Sequence, residues 1–178
     1  ISAIKKSNIN LSGDLWLSAV VGHETPIGKK EGPKRLIELL NSKKMSPDSI
    51  VITEGPKDIW TAGMGFINFT ISIYSEKGSI HTINTTYSEN PIYWAGRVLV
   101  ELQNLELEFE KIIPHKFCGR NQLNIGKLNG GDYFNRLPSE VNINGTLRWN
   151  PNHEMHEMIS KLQYICTNIS KKSGLKTN

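Results

Sequence analysis

The tightest constraint on the fold is a two-residue alternation of apolar and polar side chains at 141–148. Successive side chains on a strand point to opposite sides, so this period fits a strand that packs against a core on one face only. The sequence therefore predicts an antiparallel strand with one polar face that ends in Arg148. The polar positions are Asn142, Asn144, Thr146 and Arg148.

A glycine-rich turn precedes this strand and carries Asn135. Gly130-Gly131 allows the backbone to pass close to a ligand or another strand, and Pro138 stops the hydrogen-bond ladder. Arg148 offers a planar fork of donors that suits a carboxylate, and the Asn135 amide could complete that grip. The alternative is an ordinary turn beside a solvated sheet face.

The first 59 residues have the pattern of a βαβ unit. A nearly continuous apolar run at Leu15–Val21 and a second buried-strand run at Ser49–Thr53 are typical of buried parallel strands. Between them, Pro33 opens a helical pattern over 34–40. Functional side chains collect at the carboxyl ends of such strands.

The remaining residues, 60–178, have the pattern of an α+β domain. Alternation predicts a strand at 66–74, and apolar spacing predicts helices at 92–102 and 151–170. Three more strands are predicted near 104–113, 121–128 and 140–149. The expected architecture is a four-stranded antiparallel sheet with two helices on one face, preceded by the partial α/β domain 1–59.

Composition narrows the class of protein. The charge is +4 over 178 residues, and the basic residues are scattered, which argues against a nucleic-acid partner; the strands also lack the clustered aromatics of an RNA-binding sheet. Cys118 and Cys166 have no ligand-spaced neighbours, so reduced thiols and a cytoplasmic location are expected. No apolar run approaches the roughly 18 residues that span a bilayer, so no membrane partner is expected.

Acidic residues follow both predicted buried strands. Glu24 and Glu54 could ligate a metal through carboxylate oxygen, and His23 could add an imidazole nitrogen or act as a base. Strand-end acids can equally be helix caps or solvated loop residues. His81 lies in a polar loop and could likewise be either a functional residue or an ordinary polar surface residue.

The order of these features resembles the zinc-dependent amidohydrolase and peptidase family of acetylornithine deacetylase, succinyl-diaminopimelate desuccinylase, aminoacylase and glutamate carboxypeptidase. The matching segments lie at the end of that family's catalytic domain and in its lid, or dimerisation, domain. They are Ala19–Gly28, Glu31-Gly32-Pro33, Val51–Pro56, Ala62–Gly65, His81, Glu89–Ile92, Gly130-Gly131, Asn135, Pro138 and Arg148.

The resemblance implies roles for five residues. His81 would enter the partner subunit's active site and stabilise the oxyanion, while Asn135 and Arg148 would bind the substrate carboxylate. Glu54 would be a zinc ligand, and Glu24 either the general base or a second ligand. It also implies one or two zinc ions, or cobalt, a substrate that is an N-acyl amino acid or small peptide, and a homodimer formed through the 92–102 helix and the 104–113 strand.

The sequence departs from the family at the metal site. The expected pair of acids is His23-Glu24 or Glu24-Thr25 here, so one carboxylate is absent, with His23 as a substitute candidate. The family's earlier His-x-Asp motif, bridging aspartate and final histidine have no counterparts. We therefore expect a section of a longer enzyme, inactive alone, or a reduced homologue. The alternative is a non-catalytic dimerisation or ligand-binding module with the same fold.

Overall fold

The computed structural model describes residues 2–23, 28–53 and 61–178. The chain divides into two compact units, Ile1–Pro56 and Lys57–Asn178, which are taken in turn. The boundary predicted between 59 and 60 falls among residues 54–60, outside the described residues. In the described part of the chain, no helix combines the length and apolar character needed to span a membrane.

The first unit contains two helices, α1 (Ser2–Lys6) and α2 (Glu31–Asn41). The helix predicted at 34–40 is confirmed and begins earlier, at Glu31. The strands predicted at Leu15–Val21 and Ser49–Thr53 are wrong, because both segments are irregular and none of the described residues of this unit is buried. A parallel strand is stable only when it is paired and covered on both faces, and a two-strand piece is too small to supply either.

The second unit is built on a four-stranded antiparallel sheet. Its strands are β1 (Gly65–Tyr74), β2 (Gln122–Gly130), β3 (Glu140–Trp149) and β4 (Lys176–Thr177), in the order β2-β3-β1-β4. Strand β3 pairs along its full length with β1 and also with β2, where the register shifts between Ile125 and Lys127. Every apolar position of the alternation in β3 lies opposite an apolar position of β1, so one face of the sheet is continuous and apolar.

Two long helices, α3 (Pro91–Lys111) and α4 (Met155–Ser173), cover that apolar face. Asn90 caps α3 by accepting from the Ile92 N–H at 2.9 Å, and Pro91 occupies the first turn. Glu154 and Glu157 form a capping box at the start of α4, and Gly174 ends the helix with φ of 73°. The core contains Ile71, Ile73, Val98, Leu102, Leu105, Phe109, Val141, Ile143, Leu147, Met158, Leu162 and Ile169.

The predicted fold class is confirmed for this unit, but one strand was assigned to the wrong segment. Residues 104–113 were predicted as a strand, and 104–111 continue α3 instead. The buried residues Leu102, Leu105 and Phe109 are spaced by three and four, which is a helical stripe, and no glycine or proline interrupts the segment. The fourth strand is β4, whose two residues are too few to produce a sequence signal.

Candidate functional site

Gly78 allows a loop to lie against the end of the turn that carries Asn135, and Gly130 allows β2 to lie close to β3 where that turn begins. A Cβ added at Gly78 would meet Ser139 Cα at 2.3 Å, and one added at Gly130 would meet Val141 Cγ2 at 2.5 Å. The close approach predicted from the glycine pair is therefore present at Gly130. Backbone hydrogen bonds tie the loop to the turn: Ser75 N–H to Ser139 O (2.9 Å) and Ser79 N–H to Leu137 O (2.7 Å), as well as Leu137 N–H to Ile80 O (2.9 Å) and Thr82 N–H to Asn135 O (3.0 Å).

This backbone pairing brings His81 and Asn135 into contact. His81 Nε2 lies 3.1 Å from the amide nitrogen of Asn135, although 54 residues separate them in sequence. His81 Nδ1 accepts from the Ile83 N–H at 3.2 Å, which caps a 3-10 turn at Thr82–Asn84. Both side chains are exposed. The pair therefore presents an imidazole and an amide to solvent from a backbone that fixes both.

Sequence reasoning missed an aromatic cluster beside Asn135. Phe134 is fully exposed, and its ring lies 5.4 Å from that of Tyr133. Arg136 covers Tyr133 at 5.6 Å and forms a 2.6 Å ion pair with Asp132. Two neighbouring aromatics in a turn of otherwise glycine and polar residues were the available signal, because large exposed apolar groups often mark contact surfaces.

Arg148 lies at the opposite end of β3. Its guanidinium is 4.5 Å from the ring centre of Phe66, its partner in β1, and the side chain is exposed on the polar face of the sheet. The turn carrying Asn135 enters β3 at Glu140, and Arg148 lies eight residues further along the strand, a distance of about 26 Å. The structure therefore brings His81 and Asn135 together, whereas Arg148 of the same chain is far from both.

With this geometry established, comparison with known proteins gives the family. The sequence profile described as the peptidase dimerisation domain matches residues 64–173, which is more than half of the chain. The chain belongs to the peptidase dimerisation domain family. No curated protein sequence matches it significantly.

Solved structures share the fold of this dimerisation domain. A hydantoinase/carbamoylase family amidase from Burkholderia ambifaria is 14% identical with a TM-score of 0.55, over 67% of this chain and 28% of that one. A second amidase of that family, from Burkholderia multivorans, is 17% identical with a TM-score of 0.52, over 66% of this chain and 27% of that one. Aminopeptidase PepT from Bacillus cereus is 17% identical with a TM-score of 0.50, over 67% of this chain and 29% of that one. The chain thus spans between a quarter and a third of the length of these proteins.

The expected metal ligands lie outside the residues that can be described. Glu24 falls in 24–27 and Glu54 in 54–60, so neither has a described geometry. His23 lies just inside the described range. Across residues 2–23, 28–53 and 61–178, no group of three or more His, Cys, Asp or Glu side chains is arranged to hold a metal ion. The described residues therefore do not fit a zinc site by themselves.

Among the described residues of the dimerisation domain, β2 is an edge strand, and α3 exposes an apolar stripe on its side away from the sheet. Within the part of the chain that the structure describes, β2 pairs with β3 alone, and α3 packs above these two strands. The outer side of α3 exposes Tyr93, Val100 and Leu107, seven residues apart, by 59%, 55% and 45%. The 92–102 segment predicted to pair two subunits lies in this helix. The 104–113 segment cannot supply the predicted edge strand, because 104–111 belong to the same helix.

Ion pairing fixes the loop that leads to His81. Lys77 donates to Glu89, which also accepts from the Thr86 N–H at 2.9 Å. The Lys77 hydrogen bond, helped by the Thr86 amide, lowers the pKa of Glu89 below its usual value of 4.5. Glu89 is therefore ionised at neutral pH and joins the start of the His81 loop to the turn before α3.

Proposed function

We propose that this chain is the dimerisation and substrate-binding part of a hydrolase that cleaves the amide bond of an N-acyl amino acid or small peptide. Family membership supports the hydrolase context, since the domain is named for peptidases. The observation that carries the proposal is the exposed His81–Asn135 pair, held on paired backbone at one end of the sheet while Arg148 stands at the other. A ligand contacting all three groups requires a second copy.

The register of the sheet supports a site that is shared between two copies. Gln122 of β2 lies opposite Arg148, and Gly130 lies opposite Val141, next to the turn with Asn135. If two β2 edges paired antiparallel about a twofold axis, Gln122 of one copy would face Gly130 of the other. Arg148 would then be two strand spacings, about 10 Å, from the partner strand that leads into the His81–Asn135 corner.

The chemistry of these groups suits recognition of an acylated amino acid. Arg148 would bind the substrate carboxylate through its planar fork, with the Phe66 ring holding the guanidinium on the sheet. Asn135 would donate to a substrate oxygen, and His81 would stabilise the negative charge that develops on the carbonyl oxygen. In this proposal zinc, or cobalt, belongs to residues beyond the described ones, where it would supply an activated water.

Dimer formation would use β2 and the outer side of α3 together. An edge strand has unpaired backbone groups, and pairing with a second β2 would satisfy them. Val100 and Leu107 lie on the solvent side of the helix above β2, and a second copy that also packs against this side would remove their exposed apolar surface from water.

A second candidate is a non-catalytic dimerisation or ligand-binding module. The absence of a metal-holding cluster among the described residues favours it. Metal analysis of the purified chain tests the module: zinc that survives dialysis at near-equimolar amounts would contradict it. Metal-free protein is expected both for the module and for a section of an enzyme, and subunit complementation separates those two.

The decisive experiment is subunit complementation in the hydrolase that contains this chain. Equal amounts of His81→Ala and Arg148→Ala subunits are mixed after reversible dissociation, and hydrolysis of N-acetyl amino acids is measured. If each site takes His81 from one copy and Arg148 from the other, half of the dimers carry one intact site. About a quarter of the wild-type activity should then return. Mixtures as inactive as each variant alone would disprove a shared site.

The interface has its own test on the chain as it stands. We expect Val100→Lys and Leu107→Lys to shift sedimentation equilibrium from dimer to monomer. Tyr164→Lys is the matched control, because Tyr164 is also exposed by 68% but lies on α4, on the far side from β2. A monomeric wild-type chain, or equal effects of all three substitutions, would refute this interface.

A further inference from the structure

We propose that His81 and Asn135 act as one unit in which the Asn135 carboxamide oxygen accepts from His81 Nε2–H. Asn135 is then a positioning residue for the imidazole. Its NH₂ group is turned outward, where it can donate to a ligand that only accepts hydrogen bonds, such as a carboxylate. The ligand's identity as substrate rests on the proposed function, whereas the hydrogen-bond arrangement does not.

The first step of the argument concerns Nδ1 of the imidazole. His81 occupies the N-cap position of the turn at Thr82–Asn84, and its Nδ1 accepts the Ile83 N–H at 3.2 Å. A ring nitrogen that accepts a hydrogen bond carries no proton. The neutral imidazole has a single N–H, so that proton must be on Nε2.

The second step concerns the amide that faces Nε2. The atom placed 3.1 Å from Nε2 is the Asn135 amide nitrogen, which is itself only a donor. Two donors cannot share a hydrogen bond. The two ends of a carboxamide are assigned from their hydrogen-bond partners, so the consistent assignment turns Oδ1 toward the ring and NH₂ away from it.

The third step concerns what holds the unit together in water. Exposed hydrogen bonds compete with solvent and contribute little unless their groups are already positioned. Here the Thr82 N–H donates to the Asn135 carbonyl at 3.0 Å. The residue before Thr82, His81, and the residue after Asn135, Arg136, form an antiparallel bridge. The backbone therefore sets the separation of the two side chains before they meet.

This arrangement of His81 and Asn135 determines which ligand groups the pair can bind. The outward face offers two N–H donors from Asn135, and the Nε2–H becomes available once a ligand oxygen replaces the amide oxygen. A carboxylate or carbonyl oxygen matches this set, whereas a cation does not.

The test is nitrogen NMR of the histidine-labelled 178-residue chain above neutral pH, where imidazole is uncharged. His81→Gln identifies the resonances of His81. In the wild type we expect an Nε2 shift typical of a protonated nitrogen and an Hε2 signal protected from exchange. Asn135→Asp keeps an acceptor oxygen and should preserve both signals. Asn135→Leu removes it and should make Hε2 exchange roughly tenfold faster.

Backbone amide spectra show whether each variant keeps its fold, and Asn135→Ala replaces the leucine variant if the turn is disturbed. An unprotonated Nε2 in the wild type would overturn the proposal, and so would Hε2 exchange that is unchanged without an acceptor at 135. Because these signals do not depend on catalysis, a failure of the hydrolase proposal would leave them unaffected and would be recognised separately.

Discussion

The two units of this chain contain similar apolar segments but use them differently. In the unit Lys57–Asn178, alternating and helical apolar positions meet in one core, and Ile73, Val98 and Leu147 are fully buried. In the unit Ile1–Pro56, Trp16, Leu17 and Val51 remain exposed by 65%, 76% and 83%. Apolar character alone does not make a strand; a segment also needs neighbours that pair with it and cover it.

Truncating one large side chain in each unit should give the largest difference between the units in the free energy of unfolding. Phe109 is buried in the core, so Phe109→Ala should lower the free energy of unfolding by about 3–5 kcal/mol. Trp16→Ala should change it by less than about 0.5 kcal/mol, because that ring is exposed and away from a core. Urea unfolding followed by circular dichroism measures both. A loss of comparable size at Trp16 would mean that the first unit shares the cooperative transition.

Two glycines, one in each unit, have similarly close neighbours, and replacing each with alanine should change the free energy of unfolding by different amounts. A Cβ at Gly78 would meet Ser139 Cα at 2.3 Å, and a Cβ at Gly32 would meet the Val21 backbone nitrogen at 2.5 Å. Ser139 is tied into the packed unit, so Gly78→Ala should cost about 1–3 kcal/mol. It should also weaken the His81–Asn135 contact. The segment at Val21 is exposed, and none of the described residues of its unit is buried, so Gly32→Ala should have little effect on the measured transition.

This contrast explains which parts of the fold could be predicted from sequence. The strands at 66–74 and 140–149 and the two helices were predictable because both the pattern and the partner lie within the chain. The run Leu15–Val21 has an equally clear pattern, but its prediction assumed partners. The assignment of 104–113 failed because Leu105, Leu107 and Phe109 fit a period of two as well as a helical stripe.

The candidate site was predictable to a different degree. His81, Asn135 and Arg148 came from a resemblance to a family, and periodicity could only suggest that Arg148 ends a polar face. The contact between His81 and Asn135 depends on backbone pairing between 79–82 and 135–137, which leaves no periodic signal in so few residues. The joint action of all three residues stays a prediction, as do Glu24 and Glu54 as metal ligands.

Two glycines with a left-handed backbone conformation, one in each unit, should give a smaller difference in the stability cost of an alanine substitution. Gly174 ends α4 with φ of 73°, and Gly22 has φ of 70°. An alanine in this conformation costs about 1–2 kcal/mol when the surrounding structure imposes it. We expect that cost for Gly174→Ala, because α4 packs on the core, and almost none for Gly22→Ala. Thermal unfolding curves of both variants provide the comparison, and equal shifts would contradict it.

The smallest effect should depend on pH. The Lys77 hydrogen bond lowers the pKa of Glu89 below 4.5, so the ionised carboxylate is favoured in the folded protein. A lowered folded-state pKa contributes stability that is present above the unfolded value and is lost as pH falls through the folded one. Wild type should therefore melt at a slightly higher temperature than Glu89→Gln at neutral pH, and the difference should be lost as the pH falls through the lowered pKa of Glu89.

The corresponding pair in the other unit provides the control. Arg35 donates to Glu38 at 2.8 Å on the exposed surface of α2. Glu38→Gln should leave the melting temperature unchanged at every pH, because none of the described residues in the unit that contains α2 is buried and an exposed ion pair contributes little. If Glu89→Gln also had no effect, the Lys77–Glu89 contact would not stabilise the His81 loop.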